Sequence, residues 1–195
     1  MSHHDTPENA RTAILDAALA EFERVGIRKA RVEEIARAAR VGRATVYRRF
    51  ADKNTLVAAA LLRKFETFMA QLDEVMSAQP GIEDSLVEGF VALRRFTRDD
   101  PLLSRLLAVE PETVLPFMTV DAGPVMAIAR DHLVRTIRDA GRRLPDGVEI
   151  DVAAEMAVRL MHSLIATPQG VIAQDDESTR DFARRYMVDQ LFPRG

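Results

Sequence analysis

The sequence predicts an all-α protein of about nine helices, and three observations support this fold class. Its 195 residues are rich in Ala, Leu, Arg and Glu, which favour helices, and contain only nine Gly and nine Pro. Apolar residues recur with the spacing of a helix face in one segment after another. The clearest breaks, Pro80-Gly81 and the turn at 144–147, interrupt these segments as helix ends do. A chain of this length can form one or two domains with a substantial core.

The first predicted helix starts after Thr6-Pro7, an N-cap followed by Pro at the first helical position. It carries Ile14, Ala18 and Phe22 on one apolar stripe and ends at Gly26. We expect the next two helices to pack on this stripe and complete a three-helix unit.

The segment from Val32 to Leu56 reads VEEIARAARVGRATVYRRFADKNTL and contains two short helices and the start of a third. The first has an apolar face, Gly42 interrupts the pattern, and the second helix, 43–49, buries Val46 and, just past its end, Phe50. Two short helices joined by a tight turn are the layout of a helix-turn-helix, whose second helix enters the major groove of DNA.

The second helix of this motif leaves an unusual set of side chains facing outward. Two arginines, a threonine and a tyrosine share one short face, which indicates a polar, negatively charged partner. The outward residues are Arg43, Ala44, Thr45, Tyr47 and Arg48. Asp52 is predicted to cap the following helix, with Lys53 in its first turn, where a Lys is unfavourable unless a phosphate lies beside it.

On these residues the chain resembles the TetR family of bacterial transcriptional regulators. The runs ILDAALAEFERVGIRKARVEEIARAA and VGRATVYRRFADKNTLV are similar to that family's first helices, recognition helix and Phe-x-x-Lys junction, over about 65 residues. Two positions depart from the family pattern. Arg31 stands where the family has a capping Thr or Ser, and Gly42 stands where a Ser often caps the recognition helix, at a cost of only a few tenths of a kcal/mol.

The resemblance implies a sequence-specific DNA-binding regulator, more often a repressor, that a small-molecule effector releases from its operator. In this reading Arg43 contacts a base edge, guanine O6 and N7, and Ala44 approaches a thymine methyl. Thr45, Tyr47 and Lys53 position the motif on phosphates, and Arg31, Arg48 and Arg49 add positive charge. For Tyr47 the alternative is packing within the motif.

Charge is distributed unevenly along the chain, whose net charge is −3. Residues 10–64 contain 13 Lys and Arg against 6 Asp and Glu, a net charge of +7, whereas residues 65–195 have a net charge of −8. A basic N-terminal part on an acidic remainder favours attraction to DNA.

Downstream of the motif the pattern predicts helices over about 53–78, 82–98, 125–143 and 150–166, with a last helix that follows Asp175-Asp176 and ends near 191. Asp99-Asp100-Pro101 starts a further short helix. The prolines and glycine between 110 and 124 exclude a long straight helix there. We therefore divide the chain into a DNA-binding domain, 1–52, and a ligand-binding and dimerisation domain, 53–195, with helix 53–78 as the link.

The helix over 150–166 is apolar on more than one face, which exceeds what burial on one side requires. The resemblance implies that the last two helices form a four-helix bundle with their symmetry mates, and a dimer supplies two half-sites on a palindromic operator. The alternative is a monomeric core. The predicted interface residues are Val152, Met156, Leu160, Leu164, Phe182 and Tyr186.

An effector cavity is expected among the central helices, near the proline-containing segment. Aromatic, Met and His side chains there suit ligands of varied shape, although each is individually a candidate for plain core packing. The candidate lining residues are Phe65, Phe68, Phe90, Phe96, Phe117, Met118, Met126, His132 and Met161.

Catalytic, metal and membrane functions find no support in the sequence. The chain has no phosphate-binding glycine loop, no nucleophile or zinc-protease motif and no cysteine. Two isolated histidines make no metal site, so no catalytic residue, metal or cofactor is predicted. No run of 18 apolar residues and no signal peptide are present, so we expect a cytoplasmic protein. The alternatives are an all-α enzyme, a small-molecule binding protein without operator control, and an architectural DNA-binding module without effector.

Overall fold

A computed structural model describes residues 7–167, 169–172 and 175–192, and these residues form α-helices joined by turns. No helix within those ranges is long and apolar enough to cross a membrane. The helices are α1 (Pro7–Val25), α2 (Val32–Ala38), α3 (Arg43–Arg49), α4 (Lys53–Ser77), α5 (Ile82–Asp99), α6 (Pro101–Val109), α7 (Pro111–Met118), α8 (Gly123–Asp139), α9 (Ile150–Ala166), α10 (Asp176–Ala183) and, after a π-helical turn (Arg184–Val188), the short α11 (Asp189–Leu191).

The chain divides into two compact units. The head unit comprises the described residues up to Thr67 together with Pro101–Val120, and the body unit comprises Phe68–Asp100 together with the described residues from Asp121 onward. Helix α4 contributes residues to both units. The head unit thus contains α1 to α3, the first part of α4, and also α6 and α7.

The core of the head unit forms on the predicted stripe of α1. Ile14 and Phe22 are fully buried, and Ile35 of α2 and Val46 of α3 pack into the same cluster. Leu106 of α6 completes this cluster from a distant part of the sequence. Each fully buried side chain of this size contributes about 1.5–3 kcal/mol of hydrophobic free energy, so α6 is part of what stabilises the head unit.

Several predicted helix boundaries are confirmed. Helices α3 and α9 begin and end where the sequence predicted, and the α4 cap is present, because Asp52 Oδ1 accepts the Thr55 backbone N–H at 2.7 Å. Asp175 likewise caps α10, accepting the N–H of Ser178 at 2.9 Å. The Thr6 cap of α1 and Pro168 after α9 lie outside the described residues.

The segment between α6 and α8 differs from the expectation of a proline-broken connection. It contains the eight-residue helix α7, which starts with Pro111 at its first position and continues through Pro116. A proline in the first turn lacks only an N–H that has no helical partner, whereas Pro116 removes one hydrogen bond of the helix. Helix α7 accordingly ends only two residues later, at Met118, and α8 begins at Gly123 rather than Val125.

The body unit has its own core, built mainly on α5. Val87 and Phe90 of α5, Ile137 of α8 and Val188 of the π-helical turn are almost completely buried in one cluster. Gly89 allows the close approach of α4, because a Cβ there would lie 2.8 Å from the sulfur of Met76.

Candidate nucleic-acid interface and partner surfaces

The surface of α3 around the buried Val46 carries most of the predicted DNA-contacting residues. Val46 is the only buried member of the helix, so the remaining side chains lie at or near the surface. Arg43, Ala44, Tyr47 and Arg48 are exposed, whereas Thr45 and Arg49 are partly buried. The structure therefore brings six of the eight predicted contacts together on one short helix.

Arg43 is held in place by two neighbours. Its Nη1 lies 2.7 Å from Glu33 Oε1, and its guanidinium lies 5.3 Å from the ring centre of Tyr47. A hydrogen bond with Tyr47 and the charge of Glu33 raise the pKa of Arg43 above its ordinary value. The sequence did not reveal the role of Glu33, since the contact joins α2 to α3 across the turn.

The turn between α2 and α3 is closed by backbone hydrogen bonds. The Val41 N–H reaches the Ala36 carbonyl at 2.9 Å, and the Arg40 N–H reaches the Arg37 carbonyl at 3.1 Å. This pair of bonds is the Schellman arrangement that ends a helix, and it requires a left-handed residue at the position of Arg40. Arg40 has φ +56°, a conformation that costs a non-glycine residue about 1–2 kcal/mol.

Arg31 and Lys53 lie outside α3, and they differ in burial and in their hydrogen bonds. Arg31 is the exposed N-cap residue of α2 and makes no side-chain capping hydrogen bond. Lys53 is partly buried, and its Nζ donates to the carbonyls of Arg28 at 3.1 Å and Ala30 at 2.7 Å. Burial lowers the pKa of Lys53, an effect that the charge of Glu110 opposes. One N–H of the ammonium remains for a further acceptor.

The turn that Lys53 contacts is also held by Glu110, a residue that the sequence analysis did not single out. Glu110 is buried, and its Oε2 accepts the Arg28 backbone N–H at 2.9 Å. Its carboxylate lies against Gly26, where an added Cβ would overlap Oε1, and Gly26 has φ +86°. Nearby, Arg105 Nη1 donates to the Glu23 carbonyl at 2.6 Å. Glu110, between α6 and α7, and Arg105 of α6 therefore help to fix the end of α1 and the turn that follows it.

The candidate effector-pocket residues fall into both units. Phe117 and Met118 pack on the head-unit core, and Phe65 also belongs to the head unit. In the body unit, Phe90 and Met161 pack in the core, and Met126 is partly buried on α8.

Phe68 and Phe96 stack with ring centres 4.1 Å apart, and they line an open groove of about 340 Å³ between α4 and α5. Val75 and Ala92 add apolar surface to this groove, while Glu88 and Arg95 contribute charge. The groove lies within the body unit.

His132 is buried in the body unit between α8 and the later part of α4. Its Nε2 lies 3.5 Å from the sulfur of Met76, and its Nδ1 lies 3.3 Å from Asp73 Oδ1. Burial lowers the pKa of His132, with the charge of Asp73 opposing and that of Arg135 adding to the shift. Burial therefore disfavours the protonated imidazole, and both ring nitrogens lie against side chains of α4.

On helix α9 the small side chains are buried and the large apolar side chains are exposed. Its buried face consists mainly of small residues, Ala153, Ala154 and Ala157 among them. Its large apolar side chains face outward, with Val152 exposed to 53%, Met156 to 68% and Leu160 to 38%. Exposed apolar residues at i, i+4 and i+8 form a continuous stripe, and such a stripe marks a surface for another apolar partner.

The other predicted interface residues are placed less uniformly. Tyr186 is exposed to 56%, whereas Phe182 and Leu164 pack partly on the body-unit core. Phe182 lies between the rings of Phe90, at 6.2 Å, and Tyr186, at 5.2 Å. The residues that the structure describes contain no group of three His, Asp or Glu side chains arranged to hold a metal ion.

A cationic helix after a tight turn, mounted on a three-helix core, defines the class of helix-turn-helix DNA-binding proteins. Comparison with models of known protein families identifies the family within this class. Residues 14–60 match the model of the bacterial regulatory proteins of the tetR family, and residues 82–186 match the C-terminal domain model of the bacterial tetracyclin repressor. The second match alone spans more than half of the chain. The chain therefore belongs to the TetR family, which consists of DNA-binding transcriptional regulators rather than enzymes.

Individual relatives agree with this assignment. The HTH-type transcriptional repressor SCO4008 of Streptomyces coelicolor is 28% identical over 169 residues, which cover 84% of this chain and 82% of the relative. The HTH-type transcriptional regulator AlkX of Mycobacterium tuberculosis is 25% identical over 155 residues, which cover 78% and 72%. The TetR family repressor AlkX from Dietzia has a similar fold, with a TM-score of 0.72, 24% identity and coverage of 95% and 97%.

Proposed function

We propose that this regulator is a repressor that binds a palindromic operator as a homodimer and leaves it when a small-molecule effector binds the body unit. The observation that carries the proposal is the exposed side of α3, where Arg43 and Ala44, the proposed base-reading residues, lie beside Tyr47. The relative SCO4008 is a transcriptional repressor, which supports the same role here. Because its target is chromosomal DNA, we place the protein in the cytoplasm.

In the proposed complex, Arg43 donates two hydrogen bonds to guanine O6 and N7, and Ala44 contacts a thymine methyl. Thr45 and Tyr47 bind phosphates on either side. Lys53 is proposed to reach a phosphate with its remaining N–H, while its other bonds fix the turn between α1 and α2. Arg31, Arg48 and Arg49 strengthen the attraction to the phosphate backbone.

The homodimer is proposed to form through α9 and the chain from α10 onward. Three features support it: the exposed stripe of Val152, Met156 and Leu160, the exposed Tyr186, and the small buried face of α9. An apolar stripe that repeats in two identical subunits is self-complementary, as a two-fold interface requires. Two copies of α3 then read two half-sites about one helical turn of DNA apart.

Control by the effector is proposed to act through α4, which contributes residues to both units. An effector that shifts α4 changes the separation of the two recognition helices, and fixed half-site spacing makes DNA binding sensitive to that change. By linkage, the operator must weaken effector binding by the same factor.

The experiment is selection of bound sequences from a random duplex library by the full-length protein at moderate salt. A two-fold symmetric consensus is expected, and competition with scrambled duplex DNA then measures specificity. Native mass spectrometry of the same preparation checks whether a bound small molecule is present. Failure of the ligand-free protein to enrich any sequence would overturn the proposal and favour a small-molecule binding protein without operator control.

A further inference from the structure

The body unit contains a buried cation that has no anionic partner, and this residue is Arg94 of α5. The residue is exposed to only 8%. It continues the buried stripe of the helix, seven residues after Val87 and three and four residues after Val91 and Phe90. Positions on such a stripe normally carry apolar side chains, so an arginine here needs a reason.

Arg94 differs from the other arginines on α5. Arg95 pairs with Asp176 at 2.5 Å, and Arg98 pairs with Asp99 at 2.7 Å. Among the residues that the structure describes, Arg94 has neither an ion pair nor a side-chain hydrogen bond. Burial lowers the pKa of Arg94, and the like charge of Arg98 adds to this shift.

The carboxylates of α5 are already engaged by arginines from other elements. Glu83 pairs with Arg142, Asp84 pairs with Arg184, and Glu88 accepts two hydrogen bonds from Arg180. These three carboxylates of α5 therefore pair with arginines from outside the helix and not with Arg94. Arg94 is therefore unpaired even though α5 carries several carboxylate side chains.

An arginine cannot escape burial by losing its proton, because its pKa stays above the physiological range. A buried charge without a partner is costly, and natural structures compensate such a charge with an ion pair or a ligand. The side chain of Arg94 is also not completely shielded from solvent. Within the described part of the chain, the only solvent-inaccessible polar side-chain atom that lacks a hydrogen bond is Nε of Arg49. The nitrogens of Arg94 are therefore recessed but reachable.

We propose that Arg94 binds an oxyanion of the effector, a carboxylate or a phosphate. The planar guanidinium matches both groups with two parallel hydrogen bonds. This inference rests on the proposed function, since it names the chemical class of the effector.

The first test measures binding to the full-length dimer by isothermal titration calorimetry, without DNA. The probes are hexanoate, dodecanoate, dodecyl phosphate and the matching alcohols hexanol and dodecanol. Wild-type protein is expected to bind an anionic probe about tenfold or more tightly than the alcohol of the same chain length, the value of a charged hydrogen bond. The tighter of dodecanoate and dodecyl phosphate identifies the head group. Equal or weaker binding of the anions overturns the proposal.

Two variants make the test specific. Arg94→Met is expected to abolish the preference for the anion while leaving alcohol binding unchanged. Arg95→Met, which removes a more exposed and already paired arginine of the same helix, is the matched control and is expected to retain the preference. Retention by Arg94→Met, or equal loss in both variants, contradicts the assignment.

A second readout does not depend on the choice of probe. Removing an uncompensated buried cation stabilises a protein, so the thermal midpoint of ligand-free Arg94→Met is expected to exceed that of wild type. A lower midpoint would mean that Arg94 is already satisfied within the protein, and it would overturn the proposal.

Operator release is assayed separately from anion binding. Anion binding with release of the operator supports the effector role, and anion binding without release contradicts it. If the protein selects no DNA sequence, the proposed function fails, but the calorimetric preference at Arg94 is still decided.

Discussion

Helices α3 and α9 both leave large side chains at the surface, but of opposite character. On α3 the exposed set is cationic and polar, led by Arg43, and its one buried residue, Val46, anchors it to the core. On α9 the exposed set is apolar, centred on Met156, and alanines fill the buried face. The difference indicates two kinds of partner: a charged, hydrated one for α3 and an apolar, dehydrated one for α9.

The largest expected effect comes from placing a charge on the α9 stripe. Met156→Glu would bury an unpaired carboxylate in each half of the proposed dimer, which costs several kcal/mol and raises the dimer dissociation constant about 100-fold or more. Analytical ultracentrifugation measures this change, and operator affinity is expected to fall with it. Val171→Glu, at a fully exposed apolar residue away from α9, is the control. A Met156→Glu protein that remains a dimer would refute this use of α9.

A smaller effect is expected from removing the proposed base contact on α3. Arg43→Ala should weaken operator binding by about 1–3 kcal/mol and relax specificity at one base pair, because a bidentate contact to guanine is lost. Quantitative selection with wild-type and variant protein measures both quantities. Arg37→Ala removes an exposed α2 arginine paired with Glu34 and serves as the matched control. An unchanged consensus in the Arg43 variant would contradict its assignment.

A variant of Lys53 distinguishes a role in binding DNA from a role in stabilising the fold. If its third N–H binds a phosphate, Lys53→Met weakens binding to all DNA sequences alike. It also reduces the slope of log K against log salt concentration by about one. If it only fixes the turn between α1 and α2, the variant lowers the free energy of unfolding, because the Arg28 and Ala30 carbonyls lose their donor. Salt titration of binding and urea unfolding distinguish the two. An unaltered salt slope would remove Lys53 from the proposed DNA contacts.

The smallest expected effect concerns the turn that presents α3. Arg40→Gly should stabilise the protein by up to about 1 kcal/mol, since glycine adopts the left-handed conformation without strain. Chemical unfolding measures the change, and operator affinity should alter little. Lower stability in this variant would mean that the Arg40 side chain makes a stabilising contribution larger than the strain.

Local signals explain which parts could be predicted from sequence. The bounds of α3 and α9 follow from apolar periodicity and flanking residues, and the Asp52 cap follows from residue type and position. Helix α7 was missed because Pro116 is a strong local signal against a helix, which packing of Val114 in the head-unit core overrides.

Long-range features could not be read from the sequence. Glu110 accepts a hydrogen bond from a residue 82 positions away, and no pattern within one segment indicates such a contact. Arg94 stands out only when the burial of α5 and the partners of the other arginines are known. The eight candidate DNA contacts, by contrast, come from one contiguous motif and two flanking positions.

The buried carboxylate of Glu110 has a consequence for engineering chimeric regulators. A transplanted segment that stops at the end of α3, or even at Thr67, leaves behind the acceptor for the Arg28 N–H and the apolar side chains of Leu102 and Leu106. Exchanging DNA specificity between two relatives therefore requires moving α6 and α7 together with the motif, or exchanging only the exposed side chains of α3. The functional module is discontinuous in sequence, and grafts should follow its packing rather than the order of the chain.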